Sequence, residues 1–284
     1  MRPLNFELNA KRSRFQVIPT LQDVIILLEQ IAPTHLAEPW DNPGLQIGSY
    51  SQEITGIFLA LNPTLEALHG ASERCAQLLL THHPLIFKPA SRLEQSLYPG
   101  DVIFEAVKGE ISVVSAHTNL DVARGGLNDI LAELLGLQDI DILRENGETQ
   151  GAGLGRIGNL PERSRFSGVI KRVKRIFGAE RLRIVGEGDL QIHRTAVVGG
   201  SGGSLVSLAS QKGADLLITG DVSHHHALEA KSLGIAVIDP GHFLMEKVAF
   251  RIFAKRFGDM LKAQGWEVTV EVDEKEADPL RNVD

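Results

Sequence analysis

Gly56-Ile-Phe-Leu-Ala-Leu61, then Thr64 to Cys75, then Ala76-Gln-Leu-Leu-Leu80 running into Thr81-His-His-Pro84: this stretch decides the fold. Two short, almost unbroken apolar runs flank a segment whose apolar residues recur at helical spacing, the pattern of strand, crossover helix, strand. Parallel strands joined by helices are covered on both faces, so they need continuous rather than alternating apolar residues. The second run ends on paired histidines, and open α/β sheets gather their ligands at the carboxyl ends of strands.

The same pattern extends outward. Thr20-Leu-Gln-Asp23 reads as a capping box opening an amphipathic helix through Leu21, Val24, Ile25, Leu28 and Ile31. Glu38 to Gly48, with two prolines and two glycines around Trp40, reads as an ordered loop. A helix at Asp101–Lys108, a strand at Ile111–Ser115, His117-Thr-Asn-Leu-Asp121 and a helix from about Gly126 to Leu135 follow. Beyond Gln191, strands at Ala196–Val198, Asp215–Ile218 and Ile235–Ile238 alternate with helices at Leu205–Gln211 and His224–Leu233, and a last helix starts near His242 and runs to about Phe257. Between Asp139 and Gln191 the texture shifts to shorter, charged, alternating runs, which marks a domain change. The reading is therefore an α/β protein with an N-terminal extension over 1–18, a first lobe from 19–138 and 240–272, a second lobe over 139–239, and an acidic, frayed tail over 273–284.

Composition bounds the function. A chain of 284 residues with 43% hydrophobic residues can bury a real core, and a net charge of −7 supplies no basic footprint for nucleic acid. One cysteine, Cys75, permits neither an internal disulfide nor a thiolate zinc cluster, so any metal must use nitrogen and oxygen ligands. No apolar run approaches the roughly 18 residues of a membrane span and the N-terminus lacks a signal-peptide core, so a cytoplasmic location is expected.

The halves align with each other. Thr81-His-His-Pro84 falls on Thr219-Gly-Asp-Val222, and Gly109–Asp121 pairs without a gap with Gly234–Glu246, so that His117 matches His242 and Asp121 matches Glu246. A His and a carboxylate four residues apart on a helix share one face and can bind one ion together. Adjacent His82 and His83 at a strand end diverge and can address two ions. His82, His83, Asp121, His242 and Glu246 thus form a candidate site for two divalent ions, with zinc, iron, manganese and cobalt all compatible with such ligands. The plainer alternative makes His82 and His83 satisfied core groups and Glu246 part of a solvated helix face. His224 or His225 is a candidate proton-transfer residue beside the site; His35, His69 and His193 stand alone and read as structural.

Other motifs point away from rival chemistries. Gly153-Leu-Gly-Arg-Ile-Gly158 has the letters of a dinucleotide fingerprint, but no apolar strand precedes it and no helix follows. Gly199 to Ser204 lies between strand and helix, either a plain tight turn or an anion seat, and lacks the Lys of a phosphate loop. No Gly-x-Ser-x-Gly elbow is present.

Trp40-Asp-Asn-Pro-Gly-Leu45, Thr81-His-His-Pro84, His117-Thr-Asn-Leu-Asp121 and Gly241-His-x-x-x-Glu246, in this order, resemble the NIF3-like family, whose members are also labelled GTP cyclohydrolase 1 type 2 homologs. The resemblance spans Leu21 to Phe257. It implies two similar βαβ-based lobes facing each other across a dinuclear metal cleft, in the compact form without an inserted domain, and a toroidal homohexamer. The family's ligands carry onto His82, His83, Asp121, His242 and Glu246, which leaves His117 just outside them, in a supporting place. Two functions follow as expectations: a metal-dependent hydrolase on a nucleotide-like or other small phosphorylated substrate, or a non-enzymatic metal-handling or protein-interaction assembly. Neither involves a membrane.

Overall fold

The computed structural model describes residues 17–147, 149 and 151–281, so most of the N-terminal extension and the last residues of the tail lie outside the described residues. In chain order the elements are α1 (Leu21–Glu29), β1 (Gly44–Ile47), β2 (Gly56–Ala60), α2 (Leu65–Glu73), β3 (Leu78–Thr81), α3 (Gly100–Lys108), β4 (Ser112–Ser115), α4 (Thr118–Val122), α5 (Leu127–Leu134), β5 (Gln138–Glu145), β6 (Gly153–Arg165), α6 (Phe166–Phe177), β7 (Arg183–Val185), β8 (Gln191–Ser201), α7 (Val206–Gln211), β9 (Leu216–Gly220), α8 (His224–Leu233), β10 (Ala236–Asp239), α9 (His242–Ala263) and β11 (Thr269–Val272).

They build two sheets, a five-stranded one ordered β1-β4-β3-β2-β11 and a six-stranded one ordered β5-β6-β8-β9-β10-β7. Strands β2, β3 and β4 pair in parallel, as do β8, β9 and β10. Each trio carries one antiparallel edge strand on its last member, β1 on β4 and β7 on β10. The second half of the chain therefore repeats the topology of the first, and the aligned segments His117–Asp121 and His242–Glu246 both follow the last parallel strand of their trio.

The strands explain the core. Along β2 and its continuation, Ile57, Leu59 and Leu61 face one cluster while Phe58 and Ala60 face another; in β9, Leu216 and Ile218 share the first of these clusters and Leu217 turns away. This period-two division puts one face of each sheet into a common middle core with α1, α5, α6 and α9. The outer face of the first sheet is closed by α2 and α3, that of the second by α7 and α8. Helix α9 is the axis of the middle layer, with Phe250, Phe253 and Phe257 stacked along it and at most 1% exposed.

Three expectations change. Glu38–Gly48 is not all loop, because Gly44–Ile47 pairs with β4 as an edge strand; with only Leu45 and Ile47 apolar, its period-two signal is too short to stand out. The charged stretch after Asp139 holds two long antiparallel strands, β5 and β6: β5 is mostly exposed, and the glycines and charged residues of β6 break up a run that is otherwise buried, which hides both from a search for apolar runs. The tail over 273–284 is docked at its start: Asp273 extends β11, which pairs in parallel with β2, and Glu276 accepts from Leu61 beyond it. Gly153–Gly158 lies inside β6 and opens no helix, as the absence of a strand–turn–helix context predicts. Thr20 and Asp23 form the capping box expected at α1. Among the described residues no helix is long and apolar enough to cross a membrane.

Candidate metal centre

The carboxyl ends of β3 and β4 and the amino ends of α4 and α9 meet at one point. Past the end of β3, the backbone N–H groups of His82 and His83 still donate to Ala60 and Leu61 of the neighbouring strand, so both histidines are held as if the strand continued. The Thr81 hydroxyl donates to the carbonyl of His83 at 2.7 Å and shapes the turn. His117 caps α4 and Asp121 lies within it; His242 opens α9 with Glu246 one turn on.

His82, Asp121 and Glu246 are buried, and His83, His117 and His242 are half-buried. Glu246 is the hub. Its carboxylate lies 2.9 Å from His242 Nε2, 3.3 Å from His83 Nε2 and 3.6 Å from His82 Nε2, and Asp121 lies 3.8 Å from His82 Nε2 on the other side. The ligand atoms of His83, His242 and Glu246 fall within 4.8 Å of one another, as do those of His82, His83 and His117. All five expected ligands are thus brought together, and His117 stands among them rather than behind them.

Each imidazole is anchored through its other nitrogen. His82 Nδ1 lies 2.8 Å from the carbonyl of Ala116, His83 Nδ1 2.8 Å from Asn62 Oδ1, His117 Nδ1 2.8 Å from Asp41 and His242 Nδ1 2.7 Å from Asp221. Oxygen acceptors on Nδ1 fix the tautomer that leaves Nε2 free, which is how metal-binding histidines are oriented. The inward-facing atoms His82 Nε2, Asp121 Oδ1, His242 Nε2 and Glu246 Oε2 are buried without a hydrogen-bond partner. Buried polar atoms are seldom left so, and bound cations would satisfy them.

The electrostatics agree. Burial opposes a charge on His82, yet Asp121 and Glu246 outweigh it and lift the ring to about 9. Burial likewise opposes a charged His242, and the adjoining Glu246 and Asp221 raise it to about 9. Glu246 is buried too, but His82 and the other imidazoles hold it well below the ordinary carboxylate range. Burial lowers His83 and raises Asp121. The protein thus holds positive charge where a cation would sit.

Several contributors were not singled out by sequence. Asp41 anchors His117 and also accepts from the backbone and hydroxyl of Thr118; burial works against its charge, but these bonds hold it down at about 2. Asp221 reaches His242 from a left-handed backbone, φ 53°, a conformation that costs energy and recurs at functional sites. Gly200, at φ 63°, packs its backbone against the site: a Cβ there would lie 2.6 Å from Glu246 Oε1 and 3.5 Å from His242. Gly200→Ala is expected to lower stability by about 1–3 kcal/mol and weaken metal retention; unchanged metal stoichiometry and thermal midpoint would count against this close packing.

Two expectations lie elsewhere. His224 and His225 are exposed on the first turn of α8, touch each other, and make no described contact with the cluster; His224 opens onto a separate cavity of about 260 Å³ beside Ile184 and Val185. At Gly199–Ser204 the N–H groups of Gly199 and Gly202 already donate to Asn128 and Thr219, and Gly199 to Ser201 belong to β8, so the anion seat is not formed there. The site opens instead onto two larger cavities that meet at Asn62 and His83, one of about 1000 Å³ and one of about 680 Å³.

Known proteins resemble this chain over most of its length. A Clostridium perfringens protein named GTP cyclohydrolase 1 type 2 homolog is 39% identical over 226 residues, covering 80% of this chain and 86% of its own. A Helicobacter pylori protein named GTP cyclohydrolase 1 type 2 is 35% identical, covering 88% and 95%. Among solved structures, a hypothetical protein of Staphylococcus aureus superposes with a TM-score of 0.88 at 29% identity, over 94% of this chain and all of that one, and a Bacillus cereus protein related to NIF3 with a TM-score of 0.86 at 26% identity, over 94% and 99%. The sequence profile of Duf34/NIF3 (NGG1p interacting factor 3) matches residues 19–279, and the chain belongs to that family.

Proposed function

We propose that the protein is a metal-dependent hydrolase with a two-ion centre, acting on a nucleotide-like or other small phosphorylated substrate. The observation that carries this reading is the convergence of imidazole Nε2 atoms, each fixed from behind, on the two buried carboxylates Asp121 and Glu246. His83 and His242 would hold one cation, His82 and Asp121 the other, with Glu246 reaching both. Bound divalent ions would supply Lewis acidity and the activation of water at neutral pH. The protein's own groups supply the rest. His117, held by the ionised Asp41, is placed to move a proton at its Nε2, the role sequence assigned to His224 or His225. Trp40 and Phe87 each meet His117 edge to face and lie tilted against one another, with Trp40 57% and Phe87 43% exposed, a rim on which a planar ring can stack. The cavity of about 680 Å³ between His83 and His242 is lined by Arg181 and Arg183, the latter paired with Asp239.

A toroidal homohexamer belongs to the same reading. Leu97, Tyr98, Phe104 and Val107 expose apolar surface on and beside α3, suited to contact between copies. The test is turnover of a panel of nucleotides, GTP included, and phosphate esters. Activity is expected to vanish on chelation, return with one added metal, and be lost in a His117→Asn variant that keeps its metal. A panel that stays blank with metal bound would leave a metal-handling assembly as the better account.

A further inference from the structure

We propose that the C-terminal segment is a working part of the metal centre: Glu276, acting through the Asn62 side chain, decides which nitrogen of His83 is free to bind a cation. The inference rests on the metal-site reading above. Delivery of Glu276 is specific. The Asp273 N–H donates to Leu59 at 2.7 Å, continuing β11 along β2, and Asp273 Oδ1 accepts from the N–H groups of Lys275 and Glu276 at 2.9 and 3.2 Å. Lys247, the residue after Glu246 on α9, donates to the carbonyl of Glu276. The Glu276 carboxylate is thereby set across the end of β2, where Oε2 accepts from Leu61 N at 2.8 Å and Oε1 from Asn62 N at 2.8 Å and Asn62 Nδ2 at 2.7 Å. Asn62 Oδ1 in turn lies 2.8 Å from His83 Nδ1.

The direction of this relay is the point. A primary amide has a donor end and an acceptor end of nearly the same shape, so an asparagine beside a histidine can present either. A carboxylate only accepts. With Glu276 in place, the Asn62 NH₂ must face it and the Asn62 carbonyl oxygen must face His83, whose proton then sits on Nδ1 and whose Nε2 lone pair faces Glu246. With the amide reversed, carbonyl oxygen would oppose carboxylate, NH₂ would meet the Nδ1 lone pair, and the proton on Nε2 would block a cation. The other three rings need no such control: His82 faces a backbone carbonyl, His117 and His242 face carboxylates, and none of these can turn into a donor. Glu276 is thus a positioning residue for the one imidazole whose partner is reversible.

The test titrates metal-free wild-type, Glu276→Gln and Asn62→Asp/Glu276→Gln proteins with Co²⁺, reading affinity by competition and ligand geometry by visible absorption. Glu276→Gln is expected to weaken the weaker-bound equivalent by about 10–100-fold and alter its band, the usual cost of losing an outer partner. The double variant exchanges carboxylate and amide along the relay, restores an acceptor on His83 Nδ1, and should recover most of the loss. If Glu276→Gln does not fold, Asn62→Ala, which leaves Glu276 its two backbone donors, is expected to show the same weakening. Wild-type binding in the single variants, or a double variant that falls as far as Glu276→Gln, overturns the inference. Wild-type protein that takes up no Co²⁺ overturns the metal reading with it.

Discussion

Replacing Glu246 by alanine is expected to empty the site and to cost the metal-free fold about 3 kcal/mol. Glu246 is 3% exposed and its carboxylate is shared by His82, His83 and His242. Without it the buried His82 must either stay charged beside Asp121 alone or give up its proton. Removing one partner of a buried ion pair in this way costs about 3 kcal/mol. Glu246→Gln keeps the volume but loses the charge that lets one group serve two cations. It should fold better than the alanine variant and still fail to hold two equivalents. Metal content per chain and thermal unfolding check both variants. Full metal content in Glu246→Ala would remove Glu246 from the ligand set and, with it, the proposed two-ion arrangement.

Metal uptake should be strongly pH-dependent. In the metal-free protein His82 and His242 both titrate near 9, so both carry protons at pH 7. A cation needs their Nε2 lone pairs, so loading must expel about two protons per chain at pH 7. Because His242 and His82 serve different cations, each ion displaces one proton, and its apparent affinity should rise about 10-fold per pH unit below 9 and level off above it. The stability of the metal-free protein runs the other way. Both folded-state values lie above the ordinary histidine value of 6.5, so their contribution is fully present below about pH 6.5 and is lost as pH rises through about 9. Proton release in weakly buffered solution, with metal affinity measured at pH 6, 7 and 8, gives the sign. Loading without proton release, and an affinity flat over that range, would mean that the rings are neutral before the metal arrives.

Much of this was legible in the amino-acid sequence because the central strands are covered on both faces. Gly56–Leu61, Ala76–Leu80 and Ile235–Ile238 announce themselves as apolar runs, and the candidate ligands come soon after the second and third of them. The i, i+4 spacing of His242 and Glu246 survives into structure because α9 begins at His242 itself. What stayed hidden has two physical causes. Edge and antiparallel strands such as β1, β5 and β11 leave one face half-exposed, so their hydrophobic signal is weak. The groups behind the ligands come from loops distant in sequence: Asp41 lies in the Trp40–Leu45 motif and Asp221 in Thr219–Val222, but neither motif names the histidine it supports, and Asn62 and Glu276 lie in no motif. His224 and His225 show the opposite error: a dense histidine run at a helix start looks functional, yet their turn leaves them at the surface.

The middle layer of helices makes the two halves of the chain depend on each other. Each sheet buries one face against α9 and its neighbours, and neither half of the repeat carries enough of its own to cover that face. A single half released from the chain would expose a wide apolar sheet and invite a second copy to cover it. A half-length chain of this design would therefore pair with a second copy, whereas in the single chain each half covers the other. The cover is shared but the chemistry is not: where the first half has paired histidines at the β3 turn, the second has Gly220 and Asp221 after β9.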